Sequence, residues 1–185
     1  PYGLAEPHFT LAVVAGGVGA RDGAVFQASA MGGGWHSGLW MEGGRPQARW
    51  QDTRGQALSL AGPDALTPGE PAVLTLLHAP GAQALRVDSR TVASGSARFE
   101  AAPFDNLLIG WSFLNRTPQP GFGGLLFGAI TGRGRPSDAV VRVLGRYLRE
   151  HSQNGLLARL GELGRRFVAP ERLAALLAPP PDAGE

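Results

Sequence analysis

Hydrophobic period changes once along this chain, near residue 136, and that change limits the architectures open to it. Up to that point the sequence is a series of short apolar runs, at residues 9–15, 24–30, 38–42, 47–51, 57–61, 72–78, 84–88, 91–93, 97–100, 106–110 and 125–131. Gly, Pro, Asp and Ser punctuate them. Each run is strand length, and turn signals at this spacing belong to an all-β sandwich. In residues 47–51, Ala48 and Trp50 share one face while Gln47, Arg49 and Gln51 share the other. In residues 84–88, Leu85 and Val87 oppose Arg86 and Asp88. Residues 73–77 (VLTLL) are apolar on both faces, which predicts a central strand covered on both sides. Asp88-Ser89 before Arg90 predicts a tight hairpin turn.

Beyond residue 136 the period becomes helical. Ser137 is placed to cap a helix, with Asp138 in its first turn. Val140, Val141, Leu144, Tyr147 and Leu148 form an apolar stripe, and Arg142, Arg146 and Arg149 the opposite face. Asn154-Gly155 breaks the pattern. A second amphipathic run follows through Leu156, Leu157, Leu160, Leu163 and Phe167, and a short third through Leu173, Leu176 and Leu177. Residues 179–185 read as a disordered tail. The expected division is a β domain at 1–152 and a helical extension with a Pro-rich tail at 153–185.

Gly 28 and Pro 15 are more than a helical protein carries, and they suit many strands joined by turns. Cys 0 excludes a disulfide scaffold and cysteine-ligated zinc. No apolar segment has the length to span a bilayer. The chain opens on Pro1 without a basic-then-apolar leader, and reads as part of a larger polypeptide. The formal charge is +2 although the pI is about 9.9, because all 17 basic residues are arginine. They are spread along the chain, so no nucleic-acid partner is expected.

Several stretches share a pattern: residues 8–14 (HFTLAVV), 85–89 (LRVDS), 106–110 (NLLIG), 122–130 (FGGLLFGAI), 135–138 (RPSD) and 143–148 (VLGRYL). Together they resemble concanavalin A-like lectin/glucanase domains, the laminin-G-like jelly rolls of bacterial and phage proteins, over roughly residues 8–150. The resemblance implies an antiparallel jelly-roll β-sandwich with a C-terminal α-helical extension. Ser89 stands where the family has Gly, and Val140 where a Glu would complete a capping box. Family members also carry further residues before the strand that here starts near His8. That implies N-terminal strands missing from this chain and a sandwich edge left open or covered from elsewhere.

Glycosidases on this fold carry carboxylates spaced as Glu-x-Asp-x-x-Glu on one strand, and no such spacing occurs here. Glu42 and Asp52 read as exposed strand charges. Residues 34–38 (GWHSG) do not match the Gly-x-Ser-x-Gly elbow, and adjacency sends His36 and Ser37 to opposite strand faces. His8, His36, His78 and His151 show no metal-ligand spacing. Residues 132–135 (GRGR) lack the lysine of a phosphate loop and read as a turn. No enzyme activity and no cofactor are expected, with a degenerate glycan hydrolase as the third reading behind binding and assembly. Calcium would need clustered oxygen ligands, for which Asp22, Asp105 and Asn106 are the loop candidates.

Binding remains. Aromatic rings stack on sugar faces while polar neighbours read hydroxyls. The longest aromatic-bearing loop in the β region is 111–121 (WSFLNRTPQPG), which makes Trp111, Asn115 and Arg116 the first contact candidates. Trp35 and Trp40 follow, in the glycine-rich stretch 31–44 (MGGGWHSGLWMEGG). There Gly32 to Gly34 form a turn and Gly43-Gly44 turn the chain again, Leu39 and Met41 face the core, and Trp40 and Glu42 face away. The expected function is non-enzymatic recognition of a glycan or cell-surface polysaccharide, in a larger extracellular, cell-surface or virion-associated protein. The alternative is a structural module of a multi-subunit assembly such as a phage tail, joined to other subunits through the helices of 153–178.

Overall fold

The alternating runs become the strands of two antiparallel sheets packed face to face. The computed structural model describes residues 2–16, 20–30, 34–114 and 116–151. Its strands are β1 (His8–Ala15), β2 (Gly23–Ser29), β3 (His36–Glu42), β4 (Arg45–Gln51), β5 (Ala57–Ala61), β6 (Ala72–Ala79), β7 (Ala82–Val87), β8 (Arg90–Gly95), β9 (Asn106–Ile109), β10 (Ser112–Leu114), β11 (Thr117–Gln119) and β12 (Leu125–Arg133). The first sheet runs β12-β1-β6-β7-β8 and the second β5-β4-β3-β2-β9, with β10 and β11 paired as a separate hairpin. This is the expected jelly-roll sandwich.

The main core lies between the sheets. Ala12, Val14, Leu74, Leu76 and Leu85 from the first sheet meet Phe26, Leu39, Met41, Ala48 and Trp50 from the second. Removing side chains of this size from water drives the two sheets together. As residues 73–77 predict, β6 sits in the middle of its sheet and is covered twice. Leu74 and Leu76 face the main core, while Val73 and Leu77 join a second cluster with Leu11 and Val13.

Helix α1 (138–151) closes that second cluster with Val141, Leu144 and Leu148. Ser137 caps it: the Val140 N–H donates to Ser137 Oγ at 3.4 Å and the Val141 N–H to Ser137 O at 3.0 Å. The packed stripe is narrower than the sequence suggests, because Val140 and Tyr147 are 45% and 52% exposed. Gly145 is the reason the helix can sit so close. A Cβ there would lie 3.3 Å from Val73 Cγ1.

Two expectations change. Residues 97–100 form no strand; the Gln83 side chain instead ties down the backbone of Ala97, and Asp52 accepts the Glu100 N–H. Gln83 Oε1 accepts the Ala97 N–H at 2.8 Å, and Gln83 Nε2 donates to Ala97 O at 3.0 Å. The expected loop at 111–121 contains the β10–β11 hairpin. Strand β1 pairs with β12 on one side and β6 on the other. The expected helices of 153–178 and the tail lie outside the described residues. The consequence for function is an asymmetry: α1 closes the outer face of the first sheet, and the outer face of the second stays accessible along β4 and β5.

Candidate functional site

Glycines shape the accessible face. Gly38 has no side chain, and a Cβ there would fall 2.3 Å from Phe26 O and 2.7 Å from Trp40 Cζ3. The Trp40 ring therefore lies down along β3 over Gly38, until it meets His36 with 5.4 Å between ring centroids. Arg49 is opposite Gly38 in the β3–β4 register, and its guanidinium carbon stands 5.5 Å from the Trp40 ring centroid. A cation over an indole face is attracted by the ring quadrupole.

Neighbouring side chains fix the guanidinium. Arg49 Nε donates to Gln47 Oε1 at 2.9 Å, and Arg49 Nη2 donates to Glu42 Oε2 at 2.6 Å. Gln47 Nε2 donates to the same Glu42 oxygen at 2.6 Å. The Glu42 side chain is still 61% exposed, so this network meets solvent with donors and an acceptor already oriented. Preorganisation of this kind lowers the entropy a bound ligand would otherwise cost.

A wall stands beside this platform. The chain leaves β9 at Gly110 (φ 74) and returns at Gly121, where a Cβ would lie 1.7 Å from Gly110 O. Only glycine permits that crossing. Both stems are tied to β2: the Gly110 N–H donates to Val25 O at 3.0 Å, and the Ala24 N–H to Pro120 O at 3.0 Å. Between them the β10–β11 hairpin leans across the sheet, and Gln27 Nε2 donates to Phe113 O at 2.9 Å. Trp111, 45% exposed, packs edge-on against Phe113 at 4.8 Å.

Among the sequence candidates, Trp111 and Arg116 fall on this hairpin, Arg116 exposed at its tip with φ 66. Asn115 lies outside the described residues. Trp40 is only 3% exposed and has no free ring face for a sugar; it is the base on which Arg49 rests. Trp35 is half-buried against the main core, and its indole N–H donates to Pro103 O at 2.8 Å. The three tryptophans therefore do not form one stacking surface.

The calcium candidates are separated. Asp22 receives the Gly43 and Gly44 N–H groups at 2.6 and 3.3 Å, which closes the β3–β4 turn. Asp105 and Asn106 lie at the other end of β2, beside Ser29. Among the described residues no three His, Cys, Asp or Glu side chains are grouped to hold a metal.

Asp52 is buried rather than exposed. Its carboxylate accepts the N–H groups of Arg54, Gln56 and Glu100 at 2.9, 2.9 and 3.0 Å. Burial by itself would raise this carboxyl, but those donors and the Arg54 charge hold it below the usual carboxylate range. Glu42 and Asp52 sit at opposite ends of the β3–β4 hairpin, so they make no acid–base pair. His36 and Ser37 do face opposite ways. Ser37 instead meets His8, with Oγ 2.9 Å from Nε2. Both are sealed, at 2% and 1% exposure, so the pair is out of reach of a substrate.

Sequence reasoning placed Gln47 and Arg49 on the polar face of their strand but did not select them. The signal available was the polar row itself. What it lacked was the register that sets Gln47 opposite Trp40 and Arg49 opposite Gly38.

No family model matches the chain, and no curated protein matches it in sequence. Solved structures do match in fold. The CBM40 of Ruminococcus gnavus IT-sialidase, bound to α2,3-sialyllactose, is 16% identical with a TM-score of 0.64, over 76% of this chain and 83% of that one. Domains LG4-5 of the mouse laminin α1 chain are 11% identical with a TM-score of 0.58, over 74% of this chain and 38% of theirs. The heptameric SAP-like pentraxin of Limulus polyphemus is 10% identical with a TM-score of 0.55, over 78% of this chain and 72% of that one. The chain shares the jelly-roll sandwich with these domains.

Proposed function

We propose that this protein is a non-enzymatic carbohydrate-recognition module of the concanavalin A-like kind, and that it binds glycan on the open face of its second sheet. One observation carries the reading. The only charged group lying against an aromatic ring there, Arg49 on Trp40 among the described residues, is held rigid by Gln47 and Glu42 at the solvent boundary. Arg49, Gln47 and Glu42 read hydroxyl and other polar sugar groups, and Trp111 with Arg116 close the site from the hairpin. The sialyllactose in the Ruminococcus domain supports a sugar as the class of ligand. Such a module works outside the cell or on a surface, as part of a larger polypeptide. The test is a glycan-array screen of the purified chain. Binding to a restricted set of glycans supports the reading, and binding to none of them by folded protein refutes it.

One observation favours a second reading, an assembly module. Edge strand β9 exposes Leu107 and Ile109 by 55% and 56%, and an apolar edge with no charge of its own invites pairing. Light scattering separates the two. A stable oligomer with no sugar ligand supports assembly.

A further inference from the structure

Phe26 and Ala28 of β2 belong to the main core, so Gln27 and Ser29, which alternate with them, point outward. An outward position on the second sheet meets solvent unless something covers it. Gln27 is 0% and Ser29 1% exposed. The β10–β11 hairpin covers Gln27, whose Nε2 donates to Phe113 O at 2.9 Å. Ser112, on the hairpin one residue before that carbonyl, is 0% exposed as well. The seam between hairpin and sheet is therefore polar, and these three side chains carry no charge. Nor do they satisfy one another. Gln27 Oε1, Ser29 Oγ and Ser112 Oγ have no hydrogen-bond partner among the described residues. Buried groups of this kind are normally paired, and each one left over is a cost to the closed arrangement.

Little holds the hairpin down. Its strands have 3 residues each and join neither main sheet, and a short two-stranded ladder is marginal by itself. Beyond the stems, the bond from Gln27 is the one that fastens it to the sheet among the described residues. The stems themselves are fixed on β2, and glycine stands at both ends, Gly110 and Gly121. A weakly held segment between fixed ends is where a fold opens locally.

We propose that the β10–β11 hairpin is a lid, and that the seam it closes, formed by Gln27 and Ser112 with Ser29 beside them, is a subsite for an uncharged sugar residue. Lifting the lid frees an amide and two hydroxyls to accept from and donate to ring hydroxyls, while offering no charge to hold a carboxylate. Sugar hydroxyls supply the partners that the closed seam lacks. The subsite continues the Arg49 platform. Gln27 from β2 and Arg49 from β4 both stand opposite Gly38, one on each side of it, in a single row across the sheet. The proposal rests on the reading of this face as a glycan surface, and adds which kind of sugar residue it holds and how that residue enters.

The chain has Cys 0, so a single introduced thiol reports its own exposure. The test is thiol labelling of Ser112→Cys, a nearly isosteric change, in the whole native chain. Val14→Cys, buried in the main core, measures global unfolding, and melting temperatures show that both variants are folded. Ser112→Cys is expected to react at least tenfold faster than Val14→Cys, and faster again when Gln27→Ala removes the latch. Equal rates overturn the lid, whatever glycans the protein binds. The labelling is then repeated with glucose, galactose, mannose and N-acetylglucosamine, which are uncharged, and with N-acetylneuraminic acid, which is not. At least one uncharged sugar is expected to slow the reaction threefold or more, and the acidic sugar to leave it unchanged. No slowing by any uncharged sugar where the lid opens, or equal slowing by the acidic one, overturns the subsite. Failure of the glycan reading itself shows separately, as no binding on the array.

Discussion

His8 and His78 lie directly opposite in the β1–β6 ladder and stack with 4.5 Å between ring centroids, inside the sealed core of the sandwich. Their hydrogen bonds assign both as neutral. His8 Nδ1–H donates to Glu6 O at 3.0 Å, which leaves Nε2 to accept from the Ser37 hydroxyl. His78 Nε2–H donates to Leu4 O at 2.9 Å, and its other nitrogen faces Gln83 Nε2, a donor, at 3.4 Å. A proton added to His78 would meet that donor.

Acid should therefore unfold this protein through its core. Burial, reinforced by the neighbouring His78, pushes His8 down to about 3, and burial lowers His78 as well. Unfolded, both histidines take up protons near their ordinary value of about 6.5. Between there and pH 3 the unfolded chain binds more protons than the folded one, so stability falls as pH falls. A proton whose pKa differs by one between the two states is worth about 1.4 kcal/mol, so His8 alone brings a loss of several kcal/mol. Urea melts at pH 7.5, 5.5 and 4.5 should show steadily lower midpoints, and a flat profile across that range would contradict the assignment.

Asp52→Ala removes the acceptor from three backbone N–H groups at once. The expected cost is about 2–4 kcal/mol at neutral pH. The folded carboxyl is held low, so its contribution is present above the ordinary carboxylate range and is lost as pH falls through its lowered value. Chemical denaturation of the variant at pH 7 and pH 3 checks both points: the difference from wild type should shrink at pH 3.

Gly38→Ala places a methyl 2.3 Å from the Phe26 carbonyl oxygen, which is backbone, and against the Trp40 ring. The ladder cannot give way at little cost, and destabilisation of at least ~2 kcal/mol is expected. Trp40 should move toward solvent, visible as a red-shifted fluorescence maximum. An unchanged spectrum and melting temperature would show that the ring does not lie over Gly38.

Gln83→Ala should loosen the chain at Ala97, whose backbone N–H and carbonyl it holds. Faster amide exchange at Ala97, with little change at β3, is the expected signature.

Strand positions were legible because period-two alternation survives in β4, β7 and the doubly apolar β6. The turns at Asp88-Ser89 and Gly43-Gly44 were legible from their residues, and their positive φ values follow the two-residue hairpin rule. Side-chain substitutes for a ladder were not. Nothing in the residues near Ala97 announces that the Gln83 side chain, across the β7–β8 hairpin, satisfies its backbone. The site divides in the same way. Trp111 on a long loop is a local signal, whereas Arg49 acquires meaning only through a cross-strand register with Gly38. Trp40 misleads for the same reason, since its exposure is decided by what lies over it.

The central claim is that the open face of the second sheet holds a sugar. The most direct measurement is calorimetric titration of the strongest array ligand into wild type, Arg49→Ala and Trp111→Ala, with melting temperatures recorded for each. The account predicts at least tenfold weaker binding in Arg49→Ala, with a stability change below ~1 kcal/mol because the ion pair is partly exposed, and a smaller loss in Trp111→Ala. Unchanged affinity in a folded Arg49→Ala protein would contradict it.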